Sequence, residues 1–235
     1  MKAFIIAGGE GTRLRQYTYT VPKPMLNVGG KPILEYVIEN LKRAGIKDIT
    51  ITVGYLHEKI VEYFGDGKKF GVKIEYGIER TKKGTAGSIA QFASKVNGPF
   101  VVVMGDHLTN VDIDDMVKYH QREKAMATVA LYKGKVQLEY GVADVKDGKI
   151  TGFREKPCLE HYYNTAIYVF QPEVFKRIKE GDDFAKDVLP GLLRDGEKVS
   201  AYIFEDVWFD IGRVSDYERL DELMKAVRLG GDLRF

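Results

Sequence analysis

Two stretches of this chain carry no polar side chain: residues 3–7 (Ala-Phe-Ile-Ile-Ala) and 100–104 (Phe-Val-Val-Val-Met). A short run that is apolar at every position reads as a strand buried on both faces. Elsewhere other periods take over. Ile33, Val37 and Leu41 recur at helical spacing and stop near Gly45, which predicts a helix over 33–44. Residues 48–53 are β-branched after their first position and read as a strand, and Leu56, Ile60 and Phe64 mark one face of a helix over 56–64. The same reading gives a strand at 72–78, helices at 86–96 and 113–122, and a strand at 127–132. Such alternation predicts an α/β fold, a mostly parallel, Rossmann-like sheet with helices on both faces.

After residue 132 the rhythm changes. Residues 142–145 and 150–154 flank Lys146-Asp147-Gly148-Lys149, a hairpin signal. Strands follow at 164–170, 199–204 and 207–210, with helices at 172–178, 184–194 and 215–228. Ser215 and Glu218 are spaced as a capping box for the last helix. The chain thus reads as a single domain, 1–235, with an α/β half over 1–132 and a smaller β-rich lobe over 133–235.

Composition narrows the classes. The 235 residues suffice for a sizeable core, and 44% hydrophobic with 30% charged residues is an ordinary soluble balance. A net charge of +2 gives no electrostatic case for nucleic acid. The single Cys158 excludes an internal disulfide and a multi-cysteine metal cluster. No apolar run approaches the roughly 20 residues that span a bilayer. The N-terminus lacks a signal-peptide layout, so a cytoplasmic location is the expectation, with no membrane partner.

The chemistry begins where the first strand ends. Ala7-Gly8-Gly9-Glu10-Gly11-Thr12-Arg13-Leu14 is a glycine-rich turn. Glycines let backbone N–H groups approach an anion closely and adopt positive φ. The dinucleotide fingerprint fails here because its third glycine would fall on Leu14. The P-loop fails because its second glycine would fall on Arg13. Arg13 and Lys23, the latter between Pro22 and Pro24, could neutralise phosphate charge that the backbone alone cannot. Asp106 follows the apolar strand 100–104, where phosphate ligands of such folds sit. With Asp210 it offers the carboxylates that Mg²⁺ takes alongside phosphate oxygens. Either aspartate could equally cap a turn.

Gly84-Thr85 opens a predicted helix and could face a base or ribose, or simply cap that helix. Glu79 could meet a nucleobase edge, and a carboxylate suits the two adjacent donors of guanine better than uracil or thymine. It could instead pair with Arg80, Lys82 or Lys83. Lys156 could hold a second phosphate and Glu155 sugar hydroxyls, or both could form surface ion pairs. The four histidines show no metal-ligand spacing, and no nucleophile stands out.

In order, these motifs resemble the sugar-1-phosphate nucleotidylyltransferases, also called nucleoside-diphosphate-sugar pyrophosphorylases. Gly8 to Leu14 is similar to their phosphate signature, Lys23 in Pro22-Lys23-Pro24 to their lysine, and Gly84 to Gly87 to their base-side loop. Gly105-Asp106 and Trp208-Phe209-Asp210-Ile211-Gly212 resemble their metal sites. Tyr140-Gly141-Val142, Glu155-Lys156-Pro157 and Asn164 to Phe170 resemble their sugar-binding segments. Gln16 and Met104 stand where the family often has proline and asparagine, and neither change removes a charge.

The resemblance implies the nucleotide-diphospho-sugar transferase fold and joining of a nucleoside triphosphate to a sugar 1-phosphate, with pyrophosphate released. A hexose 1-phosphate (glucose or mannose) with GTP, UTP or dTTP is the expectation. Catalysis would fall to Arg13, Lys23 and Asp106, and Mg²⁺ to Asp106 and Asp210. The nucleotide would lie on Ala7, Gly8, Gly9, Gly11, Thr12, Arg13, Glu79, Gly84 and Thr85. The sugar phosphate would lie on Gly141, Glu155, Lys156 and Asn164. The chain ends at Phe235 without hexapeptide repeats, so it looks like the catalytic domain alone, and a homo-oligomer is implied by analogy. Transfer to a non-sugar phosphate, or a silent nucleotide-sugar sensor, remain the alternatives.

Overall fold

The computed structural model describes residues 1–228. In chain order its strands are β1 (Lys2–Ala7), β2 (Asn27–Val28), β3 (Lys31–Pro32), β4 (Asp48–Val53), β5 (Lys73–Ile78), β6 (Phe100–Met104), β7 (His107–Thr109), β8 (Ala127–Gln137), β9 (Val142–Lys146), β10 (Lys149–Arg154), β11 (Cys158–Phe170), β12 (Val199–Phe204) and β13 (Trp208–Asp210). Its α-helices are α1 (Arg15–Thr18), α2 (Ile33–Arg43), α3 (His57–Phe64), α4 (Gly87–Ala90), α5 (Ile113–Glu123), α6 (Leu189–Arg194) and α7 (Val214–Arg228).

Seven strands form the central sheet, in the order β12-β8-β11-β6-β1-β4-β5. β1 runs parallel to β4 and β6, β4 to β5, and β8 to β12, whereas β11 is antiparallel to both its neighbours. The mostly parallel α/β sheet is therefore present, and strands from both halves of the chain share it. Among the described residues, no helix is long and apolar enough to cross a membrane.

The fully apolar strands sit where both faces are covered. Ala3, Ile5 and Ala7 pack with Leu34, Ile38, Leu41, Ile60 and Phe64 of α2 and α3. Phe4 and Ile6 point to the other face, against Phe92, Phe100, Phe170, Phe184 and Leu192. Phe4 meets Phe100 edge to face, with ring centroids 5.5 Å apart. A third cluster joins Leu14, Leu26, Leu108, Ile211 and Leu220. Burial of each is worth roughly 1.5–3 kcal/mol. Because the first four adjoin the glycine turn, Lys23, Asp106 and Asp210 in the chain, the same packing that stabilises the fold sets the spacing of those groups.

Several elements depart from the sequence reading. The helix predicted over 86–96 breaks into α4 and a 3-10 turn, Ala93–Lys95, because Phe92 turns inward against Gly77. Residues Pro172–Arg177 are a 3-10 helix. The segment predicted as 184–194 starts as a π-turn, Phe184–Val188, before α6. Pro190 has no N–H to continue α-helical bonding there, and Val188 instead bonds to the Asp183 carbonyl. α7 begins at Val214, so Ser215 lies inside its first turn and does not cap it, and Glu218 accepts a hydrogen bond from Tyr17.

β8 and β11 outrun the predicted 127–132 and 164–170. Their outer parts leave the sheet as an exposed pair, laced by contacts such as Lys135–Glu160 at 3.2 Å. No apolar period marks residues that face water on both sides. The hairpin β9–β10 caps this arm and is nearly all exposed.

Candidate active site

Four parallel strands, β5, β4, β1 and β6, end side by side and deliver the candidate groups to one edge. The chain order reverses direction at β1, the place where ligands settle in open α/β sheets. After β1, Gly8 passes so close to Gly54 that a Cβ on Gly54 would lie 3.0 Å from the Gly8 carbonyl oxygen. Gly105 donates its N–H to the Ile6 carbonyl at 2.9 Å, and Glu79 to that of Val53 at 2.8 Å. Asp106 and Glu79 thus start directly beyond the sheet.

The glycine turn ends in a 3-10 helix, Thr12–Leu14, entered through Gly11 at φ 62°. A side chain there would strain the backbone and crowd Cβ of Lys23 at 3.2 Å. Thr18 donates its hydroxyl to the Gly11 carbonyl at 3.0 Å and closes the turn. The Lys23 segment is a 3-10 turn of its own, preset by Pro22 and Pro24.

Lys23 Nζ donates to Asp106 Oδ2 and lies 3.7 Å from Asp210 Oδ1. The same Asp210 oxygen is 3.5 Å from Nε2 of His107, which in turn is 3.8 Å from Asp106 Oδ1. Donor atoms of Asp106, His107 and Asp210 all lie within 4.8 Å of one another. Asp106 Oδ1 is buried and accepts no hydrogen bond, the mark of an oxygen shaped for something absent from the protein itself. Two carboxylates, one of them with a bare oxygen, suit a divalent cation, so the residues fit the Mg²⁺ expected from the sequence.

The His107 ring beside it, against the effect of burial, holds the Asp210 carboxyl down at about 2, with help from the charges of Lys23 and Arg13. Burial alone would push the His107 imidazole down, but Asp210 and Asp106 overcome it and hold the ring above its ordinary value. Arg13 itself is exposed, and its guanidinium lies against Gly212, beyond β13.

Two clefts open from this centre. The larger, about 310 Å³, runs past Ala7, Gly8, Glu79, Lys83, Gly84 and Thr85. The smaller, about 190 Å³, is bounded by Gly11, Thr12, Arg13 and Gly212. Gly9, Lys23 and Asp106 line both. Burial pushes the Glu79 carboxyl up, while a backbone N–H and the charge of Lys83 pull the other way. Lys82, offered above as a partner for Glu79, pairs instead with Glu10 at 2.9 Å.

Thr85 does not cap α4, whose cap is Ala86. Its hydroxyl donates to Asp183 Oδ2 at 2.8 Å and accepts from Phe184 N–H at 3.0 Å. Gly84, at φ 73°, is pressed so tightly on this segment that a Cβ would lie 2.2 Å from the Asp182 carbonyl oxygen. Asp183 lines the larger cleft and had no motif to announce it. His107 carries no sequence signal either, since a lone histidine beside an aspartate has no ligand spacing to mark it.

The candidate sugar-phosphate residues stand apart from both cleft linings. Glu155 lies over Gly141, where a Cβ would come within 2.7 Å of its Oε2. Lys156 is exposed, at φ 42°, and its carbonyl accepts from Gln137. Asn164 donates to the Tyr168 hydroxyl at 3.0 Å and accepts from Ala166 N–H at 2.9 Å. Its neighbour Thr165 offers its carbonyl to His107 at 3.0 Å, which links this strand to the centre.

An α/β sheet whose strand ends carry a glycine-rich turn, a paired lysine and two converging carboxylates has the groups of a nucleotide-handling protein. Residues 2–226 match the family described as Nucleotidyl transferase, and the chain belongs to that family. It is 38% identical to a UTP–glucose-1-phosphate uridylyltransferase of Synechocystis over 92% of this chain and 61% of that protein. It is 33% identical to a mannose-1-phosphate guanylyltransferase catalytic subunit beta of Danio rerio over 92% of this chain and 62% of the relative. The chain therefore spans about three-fifths of the length of these curated relatives. A Bacillus anthracis protein described as a glucose-1-phosphate thymidylyltransferase, solved with sucrose, superposes with TM-score 0.78 at 29% identity, covering 100% of this chain and 97% of that one.

Proposed function

We propose that the chain joins a nucleoside triphosphate to a sugar 1-phosphate, giving a nucleotide sugar and pyrophosphate. The observation that carries this reading is the meeting of two clefts at Lys23 and Asp106. The larger suits a nucleoside, with Glu79 and Thr85 along its wall. The smaller, ringed by Arg13 and backbone of the glycine turn, suits the phosphates that leave.

Both reactants are anions, so positioning and charge stabilisation are what the reaction needs. A phosphate oxygen of the sugar 1-phosphate attacks the α-phosphorus. The new phosphorus–oxygen bond forms as the bond from the α-phosphorus to the β-phosphate bridge breaks, and the electron pair leaves with pyrophosphate. Lys23 meets the α-phosphate between the clefts, and Arg13 and the turn N–H groups hold the departing phosphates. Asp106 and Asp210 would hold Mg²⁺, which supplies positive charge to the phosphate oxygens when bound. Gly141, Glu155, Lys156 and Asn164 receive the sugar phosphate. The test is pyrophosphate release from GTP, UTP, dTTP, CTP and ATP against glucose, mannose and N-acetylhexosamine 1-phosphates. Release that needs no sugar phosphate, or none with any pair, defeats the reading.

A further inference from the structure

With Asp106 and Asp210 as the metal's carboxylates, His107 has no role in the transfer. We propose that His107 is a third protein ligand, through Nε2, and that its imidazole turns the site toward Mn²⁺ or Co²⁺ over Mg²⁺. The inference rests on Asp106 and Asp210 as a metal pair, and its test reads metal binding apart from catalysis.

The ladder places the ring. β7 pairs antiparallel with β13, and His107 stands directly opposite Asp210 in that register. Directly opposed residues project to the same side of a sheet. The tautomer follows from the other nitrogen. Nδ1 is 3.0 Å from the Thr165 carbonyl, which can only accept, so Nδ1 carries the hydrogen. In the neutral ring the Nε2 lone pair is therefore the free one, and it faces the carboxylates at 3.5 and 3.8 Å. A ring that donates one N–H to a carbonyl and presents its other nitrogen is the usual posture of a metal-bound histidine.

The spacing agrees. Ligand bonds of about 2.1 Å put neighbouring and opposite donor atoms roughly 3 and 4 Å apart around one ion. Nε2 lies 3.5 Å from Asp210 Oδ1 and 3.8 Å from Asp106 Oδ1, inside that range, and all three donors lie within 4.8 Å of one another. Asp106 Oδ1, buried and without a hydrogen bond, faces Nε2 at 3.8 Å, while Oδ2 is held by Lys23. The ring is also fixed from the side, edge-on to Trp208 at 5.8 Å. Mg²⁺ favours oxygen and water, whereas imidazole suits the transition metals. The competing occupant of this point is a proton on Nε2, which would make His107 a plain ion-pair partner.

Pulsed EPR of Mn²⁺ added to the whole free protein separates the two. Coupling to a directly bound imidazole nitrogen is the expected result, and it should vanish in His107→Asn. Visible titration with Co²⁺, competed by Mg²⁺, should show the Co²⁺ to Mg²⁺ affinity ratio falling about tenfold or more in that variant. Circular dichroism confirms the variant's fold. Mn²⁺ without nitrogen coupling in the unmodified protein, no Mn²⁺ binding, or an unchanged ratio in a folded variant each overturns the proposal. Nitrogen coupling in a protein that transfers no nucleotide supports it and defeats the functional reading alone.

Discussion

His107 and Asp210 face each other across the two-stranded β7–β13 ladder, and Nε2 of one lies 3.5 Å from Oδ1 of the other. This short ladder carries the far end of the chain back to the end of β6. It puts Asp210 within 3.7 Å of Lys23, beside the Lys23–Asp106 pair. The charges of the site are thus assembled by one strand pairing and by the apolar cluster of Leu14, Leu108 and Ile211 beneath it.

Removal of the charge-bearing groups should silence turnover without unfolding. Arg13 is exposed and Asp106→Asn keeps the shape of its side chain. Arg13→Ala and Asp106→Asn should each lower the rate of pyrophosphate release by roughly 10²–10³. Thermal midpoints should stay near that of the unmodified protein. Near-normal turnover in both variants would remove Arg13 and Asp106 from the chemistry.

Base choice should run through Glu79. Its half-buried carboxylate lines the larger cleft and can accept from the two adjacent donors of guanine. GTP should be preferred, and Glu79→Gln should lower kcat/KM for GTP by about 10-fold or more, since an amide can accept only at its oxygen. Preference for UTP or dTTP in the unmodified protein would contradict this role.

Gly84→Ala should loosen the Gly84–Thr85 wall of the larger cleft. The new methyl would lie 2.2 Å from the Asp182 carbonyl, at a φ of 73°. Left-handed backbone for a residue other than glycine costs about 1–3 kcal/mol before the clash is added. Urea unfolding should show at least that loss, and KM for the triphosphate should rise more than KM for the sugar phosphate. Equal stability would mean that the Gly84–Asp182 contact is relieved at no energetic expense.

Lys156→Ala should separate the two substrates. The side chain is exposed, so stability should change by less than about 0.5 kcal/mol. KM for the sugar 1-phosphate should rise about tenfold or more while KM for the triphosphate holds. Unchanged kinetics would place the sugar phosphate elsewhere.

His120 should make the fold sensitive to mild acid. It is buried, its Nδ1 is 2.8 Å from Thr128 Oγ1, and Nε2 faces the Gln171 amide at 3.0 Å. Burial lowers its affinity for a proton below the ordinary 6.5. The unfolded chain then takes that proton first, so this contribution is full above about 6.5 and declines as pH falls below it. His107, raised, works in the opposite sense. Urea midpoints at pH 7.5 and 5.5 should therefore shift toward relative acid stability in His120→Gln, by at most about 1.4 kcal/mol per pH unit. An identical pH slope in both proteins would contradict the burial argument.

The sequence by itself determined the central sheet. Ala3 to Ala7 and Phe100 to Met104 are apolar at every position, and only a strand covered on both faces accepts such a run. It also determined the glycine turn, Lys23 between two prolines and the aspartate after β6, because these are local: strand end, turn and charge are neighbours in the chain. Tertiary structure decided the rest. The outer arm of β8 and β11 has no apolar period, since both of its faces meet water. The break after α4 came from Phe92 turning against Gly77, and the π-turn before α6 from Pro190 and the Asp183 carbonyl. Asp183 reached the larger cleft, and His107 reached Asp210, through contacts between segments distant in sequence. Periodicity records which face of an element is buried; it does not record what that face, or the loop beyond it, will meet.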